Sequence, residues 1–336
     1  LKSGKEWIGY YYNLTTPDGT SKEIPLGTDL NEAKRKWAEL EGKPVPSIAG
    51  EMAVLFNRYI KEVIPTKAPR TQKDNNEALT QLRRVFDSAP INAITPQHIA
   101  QYRDHRTAKV RANREISLLS HVFNMAREWG YTANENPCRG VRKNKETPRA
   151  FDAEDAVWFA VYNEGTSVLR NAMDMIYLSG QRPADVCKFK LTDIKNGSLE
   201  VTQNKTKARL RIQLNRADGS RSELGQVIDR IIAESGTVIS TNILVNTHGD
   251  PLTQSALRHH FDNARLAAIK TAEANPSRES AVLIENIKQF QFRDGRPKAA
   301  TEINDLAAAS DLLGHSDQRI TKRVYMRRGT LVKPTK

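Results

Sequence analysis

This sequence predicts a mainly α-helical fold with small β elements, and three observations carry that expectation. Apolar residues recur at three- and four-residue spacing along most of the 336 positions. Strand-like runs are confined to the opening segment and to the stretch SLEVTQNKTKARLRIQL, residues 198–214. A basic tract, CRGVRKNKETPRA at residues 138–150, has almost no large apolar residues and reads as a linker. The expected parts are a small α+β unit at 1–43, an all-α module at 48–137, and a mixed α/β domain at 151–336. A chain this long holds two or three domains.

In order, WIGYYYNL and KEIPLG flank the turn residues Pro17, Asp18 and Gly19 and predict two paired strands. Residues 31–40 follow as a short helix with Ala33, Trp37 and Leu40 on one face. GKPVPS, 42–47, reads as a linker. MAVLFNRYI, EALTQLRRVF and PQHIAQYRDHR then predict helices, with Thr95 as N-cap and Pro96 at the first helical position of the third. The strongest helix is REISLLSHVFNMAREW, whose stripe is Ile116, Leu119, Phe123 and Ala126; Lys109, Arg111 and Arg114 form a basic stretch before it. Beyond the linker, DAEDAVWFAVY, LRNAMDMIYLSG, QVIDRIIAES, LTQSALRHHFDNARLAAIKTAEAN and RPKAATEINDLAAASDLLG predict helices around the two strands.

Lys and Arg number 52 against 39 Asp and Glu, a net charge of +13. A surplus this large favours a polyanionic partner through counterion release. Arg139, Arg142, Lys143 and Lys145 in the linker, with Lys109, Arg111 and Arg114, are the candidate phosphate contacts. No apolar run approaches the ~18 residues of a membrane span. Two cysteines are too few for a disulfide framework, so a reducing cytoplasm is expected.

The last domain sets several cations in suggestive places. Arg182 follows a helix ending at Ser179-Gly180, Lys205 sits in the turn between the strands, and Arg293 and Arg296 directly precede Pro297 at a helix start. His315 follows Gly314, and Tyr325 lies among Lys322, Arg323, Arg327 and Arg328. Each has an ordinary reading alone: Arg182 can pair with Asp185, His315 can cap, and Lys207 competes with Lys205. Together they describe a site for phosphoryl transfer. Rigid guanidinium forks suit the non-bridging oxygens of a phosphodiester, and a phenol of pKa ~10 needs cations to attack at neutral pH. A departing ribose oxygen needs a proton, which a turn lysine can deliver. No Asp/Glu/His cluster has metal-ligand spacing.

The order Arg182, Lys205, R-x-x-R at 293–296, LLGH and Tyr325 resembles the tyrosine recombinase family, as phage-type integrases. The helical module ending in NENPC resembles the family's core-binding domain, and the opening unit resembles its arm-type DNA-binding domain. The resemblance implies that Tyr325 is the nucleophile, Arg182 and Arg296 clamp the scissile phosphate, and Lys205 is the general acid. It implies that His315 supports phosphate or nucleophile, and that Asp185 orients Arg182. Arg293 stands where the family usually has His, and Gly295 replaces an apolar residue, which implies a looser turn before Arg296. Asp185 replaces a more frequent Glu. The step from His315 to Tyr325 is one residue longer than the commonest form, and the extra residue is expected near Ser316–Asp317.

The implied function is site-specific recombination through a 3′-phosphotyrosyl intermediate, for integration and excision of a phage or genomic island, without cofactor, metal or ATP. The implied partners are double-stranded DNA at attachment sites, three further copies in a tetramer that exchanges C-terminal segments, and accessory DNA-bending or directionality proteins. No membrane is involved, and the location is the bacterial cytoplasm. A type IB topoisomerase-like relaxing enzyme and a catalytically inactive DNA-binding relative are the alternatives.

Overall fold

The computed structural model describes residues 8–15, 21–41, 52–236, 240–303 and 305–327. The expected turn at Pro17–Gly19, the linker at 42–47 and the C-terminal segment GTLVKPTK lie outside them. The chain divides into two compact units, Leu1–Thr147 and Pro148–Lys336.

In the first unit, β1 (Tyr10–Thr15) pairs antiparallel with β2 (Ser21–Gly27), with a bulge between Tyr10 and Tyr11. Helix α1 (Leu30–Glu41) is capped by Asp29, whose Oδ1 accepts from the amides of Asn31 and Glu32 at 2.9 Å each. Its buried residues are Ala33 and Ala38, while Leu40 is 44% exposed, so the face expected to include Leu40 is rotated toward Ala38.

Four α-helices follow among the described residues of this unit: α2 (Met52–Glu62), α3 (Pro69–Phe86), α4 (Pro96–His105) and α5 (Lys109–Glu128). The predicted stripe of α5 is buried among Leu55, Phe56, Leu79, Leu82, Phe86 and Ile99. Thr95 begins α4, where its amide donates to Nδ1 of His98 at 3.2 Å. Buried Glu115 joins α4 to α5 by accepting from Arg106 Nη2 at 2.6 Å and Tyr102 Oη at 2.7 Å. Lys109, Arg111 and Arg114 lie inside the first turns of α5, not ahead of it, because that helix starts at Lys109.

The basic tract after α5 is tied down. Asn113 and Asn144 exchange two hydrogen bonds of 2.8 and 2.9 Å, Arg103 donates to the Arg142 carbonyl at 2.6 Å, and Lys143 reaches Ser117 at 3.0 Å. The side chains of Arg139, Arg142 and Lys145 stay exposed.

The second unit is built on α6 (Asp155–Asn163), α7 (Ser167–Ser179), a short α8 (Pro183–Val186) and a three-stranded antiparallel sheet. The sheet orders β3 (Ile194–Lys195), β4 (Ser198–Thr202) and β5 (Arg209–Gln213), with Val201 opposite Leu210. Then come α9 (Glu223–Ser235), α10 (Gln254–Glu273) and α11 (Arg278–Gln289). Trp158, Met173, Ile176, Leu199, Phe261, Ile287 and Phe290 lie in one core. Helix α11 has no counterpart in the sequence reading, and only Ile287 of it is buried.

The stretch 296–314 is two helices, α12 (Gly295–Glu302) and α13 (Leu306–Leu313), the second capped by Asp305 on the Ala308 amide at 2.6 Å. α12 is buried from Gly295 to Thr301 despite its polar sequence. Lys298, 3% exposed, forms ion pairs with Asp155 and Glu302 that make this burial possible. No helix among the described residues is long and apolar enough to cross a membrane.

Candidate active site

Two helices end at left-handed glycines and aim their last carbonyls at one side chain. Helix α7 stops at Gly180 (φ 62°) and α13 at Gly314 (φ 64°). An added Cβ would come within 2.9 Å of Leu312 at the first and 2.9 Å of Gln203 at the second, so both positions need glycine for space as well as conformation. Arg296 lies between them, 2% exposed, donating from Nη1 to the Gly180 carbonyl at 2.5 Å and from Nη2 to the Leu313 carbonyl at 2.6 Å. The negative ends of two helix dipoles thus hold a buried cation where a carboxylate would otherwise be needed. Burial, and then the charge of Arg182, push its pKa down to about 10, which leaves it protonated at neutral pH.

The glycine before it does not loosen the turn as expected. A Cβ on Gly295 would sit 2.8 Å from Ile176 Cγ2 and 3.1 Å from the Trp158 ring. Those side chains occupy the volume, and they require glycine there.

Arg182 is the N-cap residue of α8 and donates from Nη1 to Gln203 Oε1 at 2.9 Å. Asp185 lies 3.9 Å from it, too far for a hydrogen bond, so the expected orienting contact is an ion pair only. The Oδ1 atom of Asp185 instead accepts from the backbone and side-chain nitrogens of Asn204 at 3.0 and 2.8 Å. This aspartate therefore holds the β4–β5 turn.

His315 and Tyr325 complete the cluster. Nε2 of His315 is 3.4 Å from Arg296 Nη2, a donor, so the neutral ring carries its proton on Nδ1 and donates to Thr321 Oγ1 at 2.8 Å. The Tyr325 ring lies 4.8 Å from the imidazole centroid and 5.3 Å from the Arg296 guanidinium carbon. It packs beside Ala300, Ala309 and Leu313, and its carbonyl accepts from Thr301 Oγ1 at 2.9 Å. The chain reaches it through α14 (Gln318–Ile320) and a π-helical turn, Thr321–Tyr325, closed by the Met326 amide on the Thr321 carbonyl at 3.0 Å. A π turn holds one more residue than an α turn. The segment between His315 and Tyr325 ends in this wider turn.

Burial, then the charges of Arg296 and Arg182, push the His315 pKa down to about 4. An unfolded imidazole titrates near 6.5, so between pH ~6.5 and ~4 the unfolded state binds the extra proton. Stability falls as pH drops through that window and levels off below it. Thermal midpoints recorded across the window should decline less steeply in His315→Gln; an identical slope in both proteins would remove this assignment.

Arg182, Asp185, Arg296, His315 and Tyr325 are thus brought together. Lys205 stands exposed in the turn after β4, with no hydrogen bond or ion pair among the described residues. Lys207, also exposed, has φ 59° and donates its amide to the Gln203 carbonyl at 2.9 Å. Arg293 is exposed in the helical turn Phe292–Asp294 and lines a groove with Pro183, Arg258, Arg265 and Lys288. Beside it Asp294 is buried and paired with Arg149 at 2.6 Å. In the first unit, Arg111 pairs with Glu77 at 3.5 Å and Arg114 with Glu146 at 2.8 Å, while Lys109 donates to the Asp104 carbonyl at 3.0 Å. Gln181, Gln203 and Thr321, all 0% exposed, were missed by sequence reasoning. Only Gln181, next to Arg182, had a signal in the sequence.

The sequence model of the phage integrase family matches residues 149–330. The integrase of Escherichia phage HK022 is 26% identical, over 95% of this chain and 91% of its own length. The integrase of Enterobacteria phage 434 is 27% identical over 79% of each chain. Among solved structures, a lambda integrase tetramer bound to a Holliday junction superimposes with a TM-score of 0.67 at 23% identity, covering 96% of this chain and 95% of that one. A lambda integrase dimer bound to a COC′ core site gives 0.67 at 22% identity, covering 100% and 99%. The fold is therefore that of lambda integrase.

Proposed function

The chain belongs to the phage integrase family, and from that premise we propose that it is a site-specific DNA recombinase that cuts and rejoins duplex attachment sites to integrate and excise a phage or genomic island. The observation that carries this reading is the convergence of Arg182, Arg296, His315 and Tyr325 on one spot. Tyr325 loses its phenolic proton to solvent and its oxygen bonds to phosphorus. The bond from phosphorus to the 5′ oxygen breaks, and that oxygen keeps the electron pair and takes a proton from Lys205. Arg182 and Arg296 hold the charge that gathers on the non-bridging oxygens, and neutral His315 holds the phenol ring. The phosphotyrosyl bond conserves the energy of the original linkage, so the 5′-hydroxyl of a partner strand reverses the step without ATP. Arg293, standing where the family usually has His, offers further donors to the phosphate.

Residues 48–137 act as the core-binding domain and 151–336 as the catalytic domain. The exposed cations of the tract between them, with Lys109, Arg111 and Arg114, follow the DNA backbone. The residues 1–43 bind separate arm sites. Four protomers assemble on two duplexes, as the tetramer bound to a Holliday junction does, with accessory bending or directionality proteins. The work takes place on DNA in the bacterial cytoplasm.

A nicked suicide duplex carrying the attachment sequence tests the reading: the protein should form a covalent, detergent-stable DNA adduct. Binding without any adduct would identify an inactive relative. The same assay separates the two lysines. Lys205→Ala should slow cleavage by about 10²–10⁴. A duplex whose scissile 5′ oxygen is replaced by sulfur should restore it, because a thiolate leaves without a proton. Lys207→Ala should show no such recovery; the reverse pattern would pass the acid role to Lys207.

A further inference from the structure

Gln203 has 0% exposure, yet its amide meets four polar groups from three separate parts of the second unit. Its Oε1 accepts from Arg182 Nη1 at 2.9 Å and from Thr206 Oγ1 at 2.6 Å. Its Nε2 donates to Gln181 Oε1 at 2.7 Å and to the Leu313 carbonyl at 2.9 Å. The Leu313 carbonyl is the one that also accepts from Arg296. One side chain therefore touches Arg182 directly and Arg296 through a shared acceptor.

The same residue closes the turn that carries Lys205. Its amide donates to the Ala208 carbonyl, and its carbonyl accepts from the Lys207 amide, each at 2.9 Å. Asn204, the next residue, is held by Asp185. The amide orientation is determined by its partners: a guanidinium can only donate and a carbonyl can only accept, so a flipped amide would face both with the wrong atom. A glutamate would set a second acceptor against the Leu313 carbonyl, and a leucine would leave Arg182 without its hydrogen-bond partner. Only an amide satisfies both ends.

We propose that Gln203 is a positioning residue that locks the Lys205-bearing turn to the two-arginine clamp, so that leaving-group protonation and charge stabilisation are registered on one phosphate. This rests on the roles proposed above for Arg182, Arg296 and Lys205. When the phosphorus bond to the 5′ oxygen breaks, the electron pair stays on that oxygen and a lysine proton completes the hydroxyl. A turn released from the clamp delivers that proton late, even with the arginines in place.

The test is single-turnover cleavage at saturating DNA, on an ordinary suicide duplex and on its 5′-sulfur counterpart. Gln203→Ala should cleave the ordinary duplex about 100-fold more slowly, with at least about tenfold of that loss recovered on sulfur. Its DNA affinity should stay within about threefold of the parent. An equal deficit on both duplexes, or none on either, overturns the proposal. Thr206→Val, at an exposed site, severs only the tie between the amide and the turn and decides the matter where Gln203→Ala fails to fold. It should lose about tenfold on the ordinary duplex and nothing on sulfur; parental rates on both overturn the proposal. Two controls separate this failure from that of the underlying reading. An unaltered protein that forms no adduct sinks the recombinase assignment, and a Lys205→Ala deficit that sulfur does not repair sinks the acid assignment; the proposal falls with either.

Discussion

Tyr325→Phe should form no covalent protein–DNA adduct at all, while binding duplex DNA and melting much as the parent does. The substitution removes one oxygen and keeps the ring. That ring supplies the packing beside Ala300, Ala309 and Leu313 and the contacts with His315 and Arg296. The Thr301 hydrogen bond goes to the backbone carbonyl of residue 325 and survives. Stability therefore changes little, whereas the atom that would bond phosphorus is gone. Tyr177, the nearest tyrosine before it in sequence, gives its hydroxyl to Glu302, and burial raises its pKa, so it offers no substitute nucleophile. The assay is the suicide duplex, read on a denaturing gel beside a binding isotherm. An adduct persisting in the phenylalanine protein would mean that another residue attacks.

Arg296→Ala should be the most destabilising substitution in the cluster, because it removes a catalytic charge and a structural tie together. Losing one preorganised donor set at a phosphoryl group costs about 10²–10³ in rate. The protein should also lose about 2–4 kcal/mol of stability, since the carbonyls of Gly180 and Leu313 lose their donor and a cavity opens at a 2%-exposed site. At this size that is a fall of roughly 4–16 °C in melting temperature. Arg182→Ala is the comparison. It sits at a helix start, 21% exposed, with one hydrogen bond to Gln203. It should lose cleavage to a similar degree and lose no more than about 1 kcal/mol of stability. Equal melting temperatures for the two variants would contradict the view that Arg296 also holds two helix ends.

Helices with an apolar stripe were legible in the sequence, as α5 shows, because side chains three and four apart share a face whatever lies beyond them. The two-strand hairpin around Lys205 was legible for the same local reason. Helix α12 was harder: its residues are polar, and only the partners of Lys298 explain how such a segment is buried. The site shows the same division. Arg182, Arg296, His315 and Tyr325 were found from motif order, while Gln181 and Gln203 were not. A buried amide leaves no periodic or compositional trace when some of the groups that satisfy it are more than a hundred positions away. Asp185 was legible as a residue of the cluster, but its main partner, Asn204, was not.

By itself the sequence determined the helices with a clear apolar stripe and the paired strands, the glycines that end α7 and α13, and the set of cations surrounding one tyrosine. These follow from backbone sterics and from side-chain spacing within a few residues. Tertiary structure alone decided that Arg296 would be buried against two helix ends, that Gln203 would bridge it to Arg182, and that a π turn would deliver Tyr325 to the cluster. Such choices depend on donors and acceptors 110 and 116 positions apart meeting at hydrogen-bond distance. Only the packing of the whole domain brings them there.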